Sequence, residues 1–128
     1  MAEWPVERLK SLLDEQLVIW RAEDLRAVIQ ITWNSRLRTT IGRALLNDMV
    51  LELNPLLLGR YPEQVRSVFI HEAAHLVARR LYGSKIAPHG RQWKALMLAS
   101  KESTKATHDL DTAGLSNRPG RRRRTWVW

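Results

Sequence analysis

The sequence contains no cysteine. That excludes a disulfide scaffold, a zinc ribbon, a cysteine-ligated iron–sulfur cluster and any chemistry that needs a thiolate nucleophile. A chain without cysteine fits a reducing compartment. No stretch approaches 18 uncharged apolar residues, so no segment is suited to cross a bilayer as a helix. The first residues, Met1-Ala2-Glu3-Trp4-Pro5, lack a basic stretch followed by an apolar one, which argues against a secretory signal. Internal repeats are absent, and the one low-complexity stretch is Arg121-Arg122-Arg123-Arg124. These absences point to a cytoplasmic chain.

What is present suits one ordinary domain. The 128 residues, 45% hydrophobic and 27% charged, can bury a single core and are too few for two. The net charge of +8 is unevenly spread. Residues 1–70 balance 9 Lys/Arg with 9 Asp/Glu, whereas residues 71–128 set 12 Lys/Arg against 4 Asp/Glu. Half of that excess is the arginine run. Such a field favours a polyanion, either nucleic acid or an anionic surface, and says nothing about fold.

Periodicity orders the elements. Val6, Leu9, Leu12, Leu13, Leu17 and Trp20 recur at helical spacing after Pro5, which predicts an amphipathic helix over roughly 5–22. The period then drops to two. Ile29, Ile31 and Trp33 suit a half-buried strand, and Leu37, Thr39 and Ile41 a second strand after a turn at Asn34-Ser35. Met49, Leu51 and Leu53 suit a third, after a turn near Asn47-Asp48, and Asn54-Pro55 stops it. Three strands without intervening helices predict a small antiparallel meander. From Pro62, the residues Val65, Val68, Phe69, Leu76, Val77, Leu81 and Tyr82 restore the helical period up to Gly83, a good helix-terminating residue. Trp93, Leu96 and Met97 mark a shorter helix after a loop. The predicted class is α+β: an N-terminal helix, a small antiparallel three-stranded sheet, then a long helix followed by a shorter one. Residues 1–116 form the domain, and 117–128 a basic Arg/Trp tail.

The long helix carries His71-Glu72-Ala73-Ala74-His75. Positions four apart lie on one helix face, so two imidazoles can point at one metal ion, and Glu72 from the neighbouring position can reach its water as general base. With 4 His and 8 Glu, chance alone gives this pattern in roughly one shuffled chain in 130, so context decides. The context agrees: the helix is strongly periodic and Phe69-Ile70 and Leu76-Val77 flank the motif with apolar residues. Two surface histidines beside a solvated glutamate would be the bland alternative. A catalytic zinc takes three protein ligands and keeps one open position. His89, 14 residues after His75 and past the Gly83 terminus, is the leading third ligand; Glu102 and His108 are its rivals. The compact spacing with a histidine six residues after the second ligand is absent, because Leu81 stands there. Asp109, Asp111 and Tyr82 are candidates for orienting imidazoles or stabilising an oxyanion.

Trp33-Asn34-Ser35-Arg36-Leu37, Gly42-Arg43-Ala44, Leu53-Asn54-Pro55, the His71–His75 motif and Pro88-His89-Gly90-Arg91-Gln92-Trp93 together resemble the SprT-like family of zinc metalloproteases. The resemblance covers roughly residues 5–110. It implies a minimal zincin-like metalloprotease domain with one Zn²⁺ per chain on His71, His75 and His89, Glu72 catalytic, and a protein or peptide as substrate. The eukaryotic relative Spartan cleaves proteins crosslinked to DNA, which implies DNA as a partner and a nucleoid-associated location. Many relatives end in a cysteine zinc ribbon, and this chain does not. Arg121, Arg122, Arg123 and Arg124 are the candidate phosphate-binding replacement, with Trp126 and Trp128 able to stack on unpaired bases. A solvated basic C-terminus is the plain alternative. The rival functional class is a nucleic-acid-binding module with a structural or inactive zinc site. An added substrate strand on a sheet edge would suit a peptidase, but no residue singles out the edge.

Overall fold

A computed structural model describes residues 2–105, together with the backbone of Trp126 and Val127. The first helix, α1 (Val6–Ile19), starts directly after Pro5, whose extended backbone (φ −64°, ψ 161°) stands outside the helix. Its buried stripe is Leu9, Leu12, Leu13, Gln16 and Leu17, the face that the helical spacing marked. Arg21, with φ 54°, turns the chain out of the helix, and a short 3-10 turn over Glu23–Ala27 leads to the sheet.

The strands are β1 (Gln30–Trp33), β2 (Gly42–Leu45) and β3 (Val50–Leu53). β3 is central. It pairs parallel with β1 and antiparallel with β2, and Trp126–Val127 (β4) adds antiparallel to the outer side of β2. The α+β class and the order of an N-terminal helix, three strands and later helices agree with expectation. The antiparallel meander does not: the sheet is mixed, and β1 and β2 are not neighbours. The second strand also lies later than the alternation of Leu37, Thr39 and Ile41 suggested. A side chain explains why. Asn54 Nδ2 donates to the carbonyls of Arg38 and Thr40 at 3.0 Å each, so these groups are satisfied without a strand partner. The loop from 34 to 41 carries the chain past the place that β3 fills.

Asn54 also accepts from the backbone N–H groups of Leu56 and Leu57, capping a one-turn helix, α2 (Pro55–Leu58), with Pro55 in its first turn. The strand therefore ends at Asn54-Pro55 as expected, and the chain continues into this short helix. A 3-10 turn at Pro62–Gln64 opens α3 (Val65–Tyr82), which ends at Gly83 with φ 89°, and α4 (Arg91–Ala99) follows.

One face of the sheet builds the core. The rows Ile31–Leu51–Ala44 and Trp33–Leu53–Gly42 lie on that face, α3 packs on β2 and β3, and α1 packs beside it. From Val68 to Ala78 every residue of α3 is buried, as for a helix enclosed on all sides. On the opposite face Glu52 joins Arg43 Nε and Asn34 Nδ2. At Gly42 α3 comes close to the sheet. A Cβ there would sit 3.2 Å from the Glu52 carbonyl oxygen, a Leu53 methyl and a Val68 methyl. Gly42→Ala is therefore expected to destabilise by about 1–3 kcal/mol through overpacking. Denaturant melts check this, and an unchanged midpoint would contradict it.

Candidate metal centre

The middle of α3 lies under the sheet on one side and under α4 on the other, and this places its motif in the interior. His71 and His75 are 5% and 3% exposed, and Glu72 is fully buried. The bland alternative of surface histidines beside a solvated glutamate does not describe this helix. After Gly83 the loop returns the chain so that His89, half-buried, stands over the motif.

The three imidazoles converge through one atom each. His75 Nε2 is 3.3 Å from His71 Nε2 and 3.1 Å from His89 Nε2, and His89 Nε2 is 3.3 Å from His71 Nε2. Three neutral imidazoles cannot satisfy such a triangle among themselves, because each Nε2 offers either one proton or one lone pair. A shared cation satisfies all three at once. Imidazole–metal bonds of about 2.0–2.1 Å in tetrahedral coordination put ligand nitrogens about 3.3–3.4 Å apart, which is close to the spacing found. The three histidines are thus a group that could hold a metal ion.

Trp93 is the floor of this group, and sequence reasoning treated it only as a helix marker and part of a motif. It is fully buried. Its indole N–H donates to the His71 carbonyl at 3.2 Å. Its ring stacks on His75 at 5.5 Å with an 18° interplanar angle, and meets His71 and His89 edge-on at 4.8 Å. The available signal was its position four residues after His89, in the first turn of α4. α4 is itself held at its far end, where Trp20 Nε1 donates to the Leu96 carbonyl and Ser100 Oγ to Gln16 Oε1. The His89 loop is thereby fixed from α1 as well as α3.

Glu72 has neither carboxyl oxygen hydrogen-bonded among the described residues. A buried carboxyl without partners is costly unless positive charge or a reacting group faces it. Burial pushes its pKa well above the usual carboxylate range. With the native value above the unfolded one, the native state holds this proton longer. The contribution to stability is then full below the unfolded-state pKa and is lost as pH rises towards the native one. In metal-free protein, Glu72→Gln should gain stability relative to wild type as pH rises above the usual carboxylate range. Thermal melts at several pH values test this, and a constant difference would contradict it.

The other candidates fall elsewhere. Glu102 bonds to Ser67 Oγ at 2.7 Å and lies 3.9 Å from Arg66, one turn before His71 on α3 and outside the histidine group. Tyr82 is exposed at the end of α3. His108, Asp109, Asp111 and Arg121, Arg122, Arg123 and Arg124 lie outside the described residues. No described helix is long and apolar enough to cross a membrane.

Fold and site together define an α+β protein in which two histidines and a buried glutamate of one helix meet a third histidine from the loop that follows it. Comparison with known sequences places it more narrowly. The SprT-like family model matches residues 9–112. Protein SprT of Shewanella oneidensis is 30% identical over 120 residues, covering 92% of this chain and 74% of that protein. Protein SprT of Proteus mirabilis is 35% identical over 80 residues (61% of this chain, 47% of that protein). Protein SprT of Pseudomonas syringae pv. tomato is 42% identical over 57 residues (44% and 35%). The match thus spans about three quarters of the first relative and less than half of the other two. The chain belongs to the SprT-like family.

Proposed function

We propose that the protein is a zinc-dependent endopeptidase. The observation that carries this reading is the pairing of the converged His71, His75 and His89 nitrogens with the unpartnered, buried Glu72 carboxyl. A purely structural metal site has no use for such a glutamate. Three neutral imidazoles with a position left open suit Zn²⁺, which when bound acidifies water and polarises a carbonyl. Glu72 takes a proton from the attacking water, orients it towards the scissile carbonyl, and delivers the proton to the leaving amine. Trp93 holds the imidazoles in place and keeps solvent from beneath them.

The basic C-terminal part supports recruitment to DNA, through Arg121, Arg122, Arg123 and Arg124, for action on DNA-associated or DNA-crosslinked proteins. Four phosphate contacts would make log K fall against log salt with a slope of about −3 to −4. The test is cleavage of casein or histone by zinc-loaded protein, with and without DNA, beside salt-dependent DNA binding of wild type and a chain lacking the four arginines. Cleavage lost on chelation, and DNA binding lost with the arginines, are expected. Bound zinc without cleavage in either condition would favour the nucleic-acid-binding module. Salt-independent DNA binding, or none, would remove the recruitment step.

A further inference from the structure

β2 packs against α3, the helix that carries His71, Glu72 and His75. Gly42 lies against Val68 of α3, and Asn47, just beyond β2, accepts from Arg79 Nη2 at 2.9 Å. Strand and helix therefore run in the same direction. The eleven helical steps from Val68 to Arg79 rise about 16 Å, and the two to three extended steps from Gly42 to Ala44 and Leu45 cover about 7–10 Å of it. Ala44 and Leu45 fall in the middle of this interval, level with the turn of α3 that carries His71, Glu72 and His75.

That stretch of edge is occupied by the chain itself. Val127 pairs with Ala44 and Trp126 with Leu45, antiparallel. An exposed strand edge offers a row of backbone donors and acceptors to any extended peptide. We propose that the C-terminal strand Trp126–Val127 is an intramolecular competitor for this edge, so that an extended polypeptide reaching the histidine group must displace it. The inference rests on the endopeptidase reading for its consequence, but the competition itself is a property of the fold. The strand suits a displaceable occupant. Two residues make few ladder hydrogen bonds, each of small net worth in water. Among the described residues the buried core runs from Leu9 to Met97.

The test compares the full chain with one ending at Arg124, which keeps all four arginines, and with full-length Trp126→Pro/Val127→Pro, which removes both strand N–H groups. Each is made with and without Glu72→Gln. Amide exchange across Gly42–Leu45 should quicken in both altered chains. An extended casein-derived peptide should bind the Glu72→Gln forms of both roughly ten-fold more tightly than the full-length Glu72→Gln chain, since apparent affinity falls with the fraction of edge that is free. In the active forms the gain should appear in KM, with kcat little changed. Equal exchange and equal peptide affinity in all three chains would overturn the proposal, whatever the activity. Tighter peptide binding in a protein that cleaves nothing would instead sink the endopeptidase reading and leave the competition intact.

Discussion

Glu72→Gln should lower cleavage of an unfolded protein substrate by about 10²–10⁴-fold, the range for a lost general base, without lowering metal content. The substitution keeps the shape of a fully buried side chain and removes its ability to take a proton. Because Glu72 is not among the three converged nitrogens, the metal should stay. Activity against casein is measured beside zinc content of the same preparation. Retained activity would remove Glu72 from the chemistry, and loss of zinc would mean that its carboxylate belongs to the coordination instead.

The second large effect belongs to His89. Its Nε2 closes the triangle at 3.1 and 3.3 Å from its neighbours, and it is the one member not on α3. His89→Ala should weaken zinc binding by more than the 10–100-fold typical of losing an outer partner of a ligand. Secondary structure should persist, since His89 is only half-buried and Trp93, Leu96 and Met97 still anchor α4. Competition with a chelator measures the affinity, and circular dichroism the fold. Glu102 offers no replacement, being engaged with Ser67 one turn before His71. Zinc affinity unchanged in His89→Ala would show that the third ligand was wrongly chosen.

The parts of the molecule legible in the sequence are those fixed by local spacing. The stripe Leu9, Leu12, Leu13 and Leu17 defines α1 because a helix repeats its faces within a few residues. The pair His71 and His75 is legible for the same reason, and the Gly83 terminus brings His89 within reach. Strand pairing is different. The alternation in Ile29, Ile31 and Trp33 reports that one face is half-buried, but it carries no information about the neighbour, so the parallel pairing of β1 with β3 could not be read. The alternation of Leu37, Thr39 and Ile41 misled, because Asn54 takes carbonyls of that segment through a contact 14–16 residues away. Trp93 was visible as a core residue of α4, yet its place beneath three imidazoles depends on how two helices pack. The β4 pairing is longer in range still, joining residues 44 and 45 to the end of the chain.

Whether His71, His75 and His89 share one zinc ion is directly measurable. Elemental analysis of the purified full-length protein, combined with X-ray absorption at the zinc edge, should give near one zinc per chain with three nitrogen ligands at about 2.0–2.1 Å. Less than about a tenth of an equivalent after zinc loading, or a first shell built mainly of oxygen, would contradict it.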